Sequence, residues 1–209
     1  MPHVVLLGDS IFDNGVYVPD GPAFVDQLRA VLPEEWTVSL LAVDGQVTAS
    51  VGVQLAKLPE DVTHIVVSCG GNDALWHLPV LSEKAHSVAE VLDRFYEIRL
   101  DFRQKYRRML EQVIATKRNV TICTIYDCIP DLEPRAHAAL SMFNEVILRE
   151  AVAARVNIID LRLVCPERSD YSELSPIEPS RLGGAKIAAV LGGFLLGTSS
   201  PGNVVQLHV

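Results

Sequence analysis

Two apolar runs of this chain end in residues able to do chemistry. Val4-Val5-Leu6-Leu7 leads into Gly8-Asp9-Ser10, and Ile65-Val66-Val67-Ser68-Cys69 leads into Gly70-Gly71-Asn72-Asp73. A serine hydroxyl becomes a nucleophile when a neighbouring base takes its proton, and a primary amide donates hydrogen bonds without carrying charge. If both runs are strands of one parallel sheet, their carboxyl ends border a single crevice where the two side chains can meet one ligand. The glycine before Asp9-Ser10 suits a chain that leaves its strand and turns the hydroxyl out of the top of the sheet. Taken alone, Gly-Asp-Ser fits equally well a turn in which Asp9 and Ser10 cap local backbone groups, and Asn72 fits a turn cap.

The elements that would position these residues follow from the apolar pattern. Val- and Ile-rich runs recur at residues 3–7, 37–43, 63–69, 119–125 and 156–161, and such continuous runs suit strands buried on both faces. Between them, Pro22 to Leu32, Val47 to Leu55, Lys84 to Lys117, Arg135 to Ala154 and Leu182 to Leu196 have helical periodicity. The alternation predicts an α/β fold, a three-layer α/β/α sandwich around a five-stranded parallel sheet. Right-handed crossovers give it a flavodoxin-like strand order, 2-1-3-4-5, with the switch point beside the first strand. No repeat, linker or shift in composition divides the 209 residues, so one domain over 1–209 is expected. The segment Lys84 to Lys117 is long enough to bend near residues 99–102 and cover the crevice as a lid. Beyond Gly197 a Gly-Thr-Ser-Ser-Pro-Gly loop precedes Val204-Val205-Gln206-Leu207, which could return as an edge strand or serve a partner.

Composition narrows the partners. The chain is 49% apolar with a net charge of −8, which argues against nucleic acid and anionic membranes, since both reward clustered Lys and Arg. The basic residues from Arg94 to Arg118 are interleaved with acids and read as the wet face of a long helix. No charged start followed by an apolar stretch and cleavage site is present, so the mature protein is expected to start near Met1. The longest apolar segment, Ile187 to Leu196, is far shorter than the ~18 residues a spanning helix needs, so no membrane insertion is expected. Cys69, Cys123, Cys128 and Cys165 lie in or beside predicted buried strands, without CxxC spacing or histidines at zinc-site intervals. They are expected to be reduced structural thiols of a cytoplasmic protein without a metal site. Oligomeric state is not legible.

At these residues the chain resembles the SGNH or GDSL hydrolases, over nearly its whole length. Gly8-Asp9-Ser10 is similar to that family's nucleophile block, Gly45 in Val43-Asp44-Gly45-Gln46 to its second block, and Gly70-Gly71-Asn72-Asp73 to its third. The family's last block reads Asp-x-x-His-Pro-Ser, followed by glycine and an apolar helix. Here the matching stretch is Ser175-Pro176-Ile177-Glu178-Pro179-Ser180, followed by Arg181-Leu182-Gly183-Gly184. Proline, serine, glycine and helix are kept, while Glu178 stands in place of the histidine and Ser175 in place of the aspartate.

The resemblance implies a serine esterase acting on a small acyl or acetyl ester without a cofactor. Ser10 would be the nucleophile, and the backbone N–H groups of Ser10 and Gly45 with the Asn72 amide would form the oxyanion hole. Glycine at 45 lets the backbone approach a ligand closely. Glu178 would take the place of the histidine base. An ordinary glutamate is about two pKa units less basic than imidazole, a deficit that burial in an apolar pocket would partly recover. A carboxylate has no tautomer to be fixed, which makes an orienting aspartate dispensable and explains Ser175. Asp9, Asp13 and Asn14 are expected to hold the nucleophile loop through backbone N–H groups, and Asp73 to do the same for the third block. His77 overhangs the crevice as a substrate contact, a substitute base or a plain loop residue. The alternative is a catalytically inactive domain that keeps the fold as a ligand- or protein-binding module.

Overall fold

The computed structural model describes residues 1–198 and the backbone of 204–205. In chain order the elements are β1 (His3–Gly8), α1 (Phe24–Val31), β2 (Thr37–Leu40), α2 (Val51–Leu55), β3 (His64–Ser68), α3 (Gly71–Trp76), α4 (Val88–Ala115), β4 (Asn119–Cys123), α5 (Pro134–Ala154), β5 (Asn157–Ile159), α6 (Leu161–Val164), α7 (Arg181–Leu195) and β6 (Val204–Val205). The sheet order is β2-β1-β3-β4-β5-β6. The first five strands are parallel, in the 2-1-3-4-5 order expected. β6 extends the sheet to six strands, pairing antiparallel with β5 through Val204 and Val205. The edge-strand alternative thus holds for those two residues, and Gln206 and Leu207 lie outside the described residues.

Pleating sends alternate side chains to opposite faces, and both faces are covered. Val5, Leu7, Ile65 and Val67 enter one core with α4 and α5. Val4, Leu6 and Val66 enter the other, with α1, α6 and α7. Three-layer burial is therefore written in the uninterrupted apolar runs.

The departures from the expected boundaries have local causes. β2 stops at Leu40 because the amides of Leu41 and Ala42 both turn to the Leu6 carbonyl, each at 2.9 Å. α3 follows β3 almost directly, and its opening glycines disguise it as a loop, since glycine is a poor helix former. α4 is continuous through residues 99–102 and carries no break there. Its buried residues are Phe102, Tyr106, Met109, Leu110 and Val113, all in its C-terminal half. Its arginines do more than face water. Arg103 and Arg107 donate to the buried carboxylate of Glu150 on α5 at 2.5 and 2.8 Å, and Arg99 donates to Glu145 at 2.8 Å.

All four cysteines are free, three buried and Cys128 exposed in the loop after β4 rather than beside a buried strand. No helix among the described residues is long and apolar enough to cross a bilayer.

Candidate active site

The β1–β3 register sets Gly8 beside Ser68, so Ser10 and Asn72 leave the sheet at the same end, two and four residues further on. Gly8 has φ +124°, and a Cβ there would lie 1.7 Å from the Ser68 carbonyl oxygen. Only glycine fits that crossing. The Asp9 amide then donates to Ser68 O at 3.1 Å, and the Asp9 carbonyl accepts from Phe12 and Asp13. The resulting tight turn exposes the Ser10 hydroxyl to the crevice rather than starting a helix.

Three further segments converge on this turn. The second-block loop is held by the Asp44 amide donating to Asp13 at 3.0 Å, by Tyr17 Oη donating to Asp44 at 2.9 Å, and by the Val43 amide donating to Gly8 O at 3.2 Å. Asn72 Nδ2 donates to Gln46 O at 2.8 Å, which ties the third block to the second. One of the two amide hydrogens is used there, leaving the other for a ligand. The fourth block is fixed from four sides. Tyr126 Oη donates to Ile177 O at 2.6 Å, Asn14 Nδ2 to Pro179 O at 3.2 Å, the Ser172 amide to Glu178 O at 2.8 Å, and the Ser180 amide to Asp170 O at 2.8 Å. Ser180 also caps α7, accepting from the amides of Leu182 and Gly183. The retained Pro-Ser and glycine thus set the path that delivers residue 178, whatever its side chain.

Ser10, Asn72, His77 and Glu178 all line one cavity of about 110 Å³, together with Asp9. Gly45 is not on its wall. Gly45 has φ +73° and open space where a Cβ would stand, and its loop reaches the site through the Gln46–Asn72 bond. The amides of Ser10 and Gly45 donate to no acceptor among the described residues. Ser10 N–H, Gly45 N–H and Asn72 Nδ2 are therefore three donors with capacity left over, of which Ser10 and Asn72 stand on the cavity wall.

Glu178 is 4% exposed. Burial pushes its carboxyl from the ordinary 4.5 up to about 7; the Ser10 hydroxyl works against that rise, and the Asp44 charge adds to it. The hydroxyl is thus a near neighbour, yet it stands outside hydrogen-bond geometry with the carboxyl, whose Oε2 is buried without a partner among the described residues. Asp9 is also buried. Desolvation, partly offset by the Ile11 amide and reinforced by Glu178, raises its carboxyl to about 8. At neutral pH Asp9 is mostly the neutral acid, and Glu178 is poised between its two forms.

Asp9 and Asp13 accept backbone N–H bonds as expected, although the amide Asp13 holds belongs to Asp44 of the second block. Asn14 accepts from the Phe24 amide at 2.8 Å and, through Pro179, also touches the fourth block. Asp73 accepts from both the amide and the hydroxyl of Thr48, at 2.8 and 2.9 Å. It steadies the segment after Gly45 rather than its own block. The His77 side chain makes no hydrogen bond among the described residues, and its ring tilts against Phe143 with centroids 6.2 Å apart. Gln54 and Tyr126 escaped the reading of the sequence. The Gln54 side chain donates to Gly8 O and accepts from Gly8 N, both at 2.7 Å, clamping the residue on which the turn depends. A polar residue inside a short apolar helix was the available signal. Among the described residues no group of three or more His, Cys, Asp or Glu side chains is placed to hold a metal ion.

Residues 6–184 match the GDSL-like lipase/acylhydrolase family. The chain belongs to that family. Its fold is similar to that of the lipase Lip_vut3 from a goat rumen metagenome, with a TM-score of 0.72 and 22% identity over 95% of this chain and 99% of the other. The lipase/acylhydrolase from Enterococcus faecalis superposes with a TM-score of 0.65 at 19% identity, covering 97% of this chain and 99% of the other. A variant of the acetyl xylan esterase Axe2 from Geobacillus stearothermophilus gives 0.66 at 16% identity, covering 95% and 96%. No curated protein matches the sequence.

Proposed function

We propose that this GDSL-family hydrolase is a serine esterase in which Glu178 replaces the histidine as general base. The observation that carries the reading is a carboxyl of raised pKa, buried beside a serine hydroxyl in a cavity that also receives a neutral amide donor. Ser10 Oγ attacks the ester carbonyl carbon while its proton passes to the Glu178 carboxylate. Negative charge gathers on the carbonyl oxygen, where the amides of Ser10 and Gly45 and the second hydrogen of Asn72 Nδ2 receive it. Collapse of the tetrahedral intermediate breaks the bond to the alcohol oxygen, which takes the proton back from Glu178. Water then attacks the Ser10 ester with Glu178 again as base, and the acid is released. Because Asp9 is mostly neutral at pH 7, the ionised fraction of Glu178 is the carboxylate that serves beside the nucleophile.

A pKa near 7 answers the deficit of an ordinary glutamate, because a general base works best when its pKa lies near the operating pH. The gap between the hydroxyl and the carboxyl in the free site is compatible with this, since such contacts tighten when substrate binds. The same gap favours the second reading, an inactive domain that binds a ligand or protein in the crevice. A fluorophosphonate probe separates the two. Stoichiometric phosphonylation of wild type, absent in Ser10→Ala, is the expected result. Failure to label folded wild type, together with no turnover of p-nitrophenyl acetate, would establish the binding module.

A further inference from the structure

The cavity extends well past the reacting groups. Its polar lining comes mainly from the strand ends and the fourth block, namely Asp9, Ser10, Ser68, Asn72 and Glu178. The wall beyond is supplied by helices and is apolar apart from His77. Leu75 and Leu78 come from α3 and the turn after it, Phe95 and Ile98 from the N-terminal half of α4, and Leu140 and Phe143 from α5. That half of α4 has no fully buried residue before Phe102; Phe95 and Ile98 are partly buried there, Ile98 also packing against the core, and both turn to the cavity. An acetyl group would touch only the strand-end portion and leave this wall without a ligand.

Resting on the esterase reading above, we infer that the substrate carries an unbranched acyl chain of about six carbons or more, buried between α3, α4 and α5. The acid rather than the alcohol belongs there. The acyl group stays bonded to Ser10 Oγ from the first step to the last, whereas the alcohol must leave before water can attack. A deep apolar slot would hold back an apolar alcohol at that point. The outer surface of the same overhang, with Trp76, Val88, Leu92 and Tyr96 all more than half exposed, is apolar too. A chain extending past the cavity therefore meets further apolar contact.

Each methylene moved from water to an apolar wall is worth roughly a threefold to fourfold gain in kcat/KM. Across p-nitrophenyl acetate, butyrate, hexanoate and octanoate, the octanoate is expected to exceed the acetate by at least about 30-fold. Ala139 on α5 lines the cavity and is partly buried, so Ala139→Phe fills the slot without burying a new group in a closed core. It is expected to lower the octanoate-to-acetate ratio by at least about tenfold, and Ala136→Phe serves if the first fails to fold. Binding is measured separately, as displacement of the neutral dye N-phenyl-1-naphthylamine from Ser10→Ala by methyl decanoate and methyl butyrate. Tighter binding of the decanoate, lost on adding Ala139→Phe, supports the slot even if wild type hydrolyses no ester, the result that would sink the esterase reading alone. A preference for acetate, or an unchanged ratio in a folded Ala139→Phe or Ala136→Phe variant, would overturn the inference while leaving the esterase standing.

Discussion

At the scale of single residues, the exchange of histidine for Glu178 in the proposed mechanism relocates the problem of making a base. Imidazole has a suitable pKa and needs a partner to fix its tautomer. A carboxylate needs no such partner but requires burial to become basic enough. The structure supplies the burial, and Ser175, in the position of the missing aspartate, contributes only its carbonyl to the Glu178 amide at 3.0 Å. In the proposed mechanism, Asn72→Ala removes a donor aimed at charge that exists only in the transition state. It is expected to lower kcat by about 10²-fold or more with little change in KM. With Glu178 as the proposed base, His77 belongs to the wall rather than the proton path, so His77→Ala is expected to change KM more than kcat; steady-state kinetics on p-nitrophenyl esters separate the two.

At the scale of elements, the site is an arrangement of loops held by side chains outside it. Gln54 on α2 is the clearest case. Gln54→Leu would leave the buried Gly8 N–H without its partner and Gly8 C=O with the Val43 amide alone, at a cost of about 2–3 kcal/mol. It is also expected to lower kcat, because the Ser10 turn starts from that residue; urea unfolding and kinetics on the same sample check both. Strand order, sheet direction and the convergence of Ser10 with Asn72 were legible because they follow from continuous apolar runs and right-handed crossovers. α3 was hidden behind Gly70 and Gly71, and β6 is too short to leave a pattern of its own. The tertiary roles of Asp73, Asn14 and Gln54 were illegible for a different reason. Each bonds to a segment 25 to 165 residues away, and no local rule encodes such a partner. The basic stretch of α4 shows the same limit: interleaved charges suggest a wet face, but Glu150, which fixes two of the arginines, lies on another helix.

At the scale of the whole molecule, the two buried carboxyls of the cavity lower stability as they ionise. Asp9 and Glu178 have folded-state pKa values of about 8 and 7, above their ordinary 3.8 and 4.5. Between about pH 5 and pH 8 the folded protein keeps protons that the unfolded chain has released, so stability falls as the pH rises. Urea midpoints are expected to drop across that window, and to drop less in Glu178→Gln, where one of the two groups no longer titrates. Equal slopes in the two proteins would show that the Glu178 carboxyl titrates near its ordinary value. The central claim is that this carboxyl receives the Ser10 proton, and the most direct test is kcat/KM of Glu178→Gln on p-nitrophenyl esters at about pH 8, where the wild-type carboxylate is formed. The amide keeps the shape and removes the proton acceptor, and the expected loss is about 10²- to 10⁴-fold in a variant that unfolds cooperatively like wild type. Wild-type turnover by folded Glu178→Gln would contradict the claim, and would require the base to be sought elsewhere in the cavity.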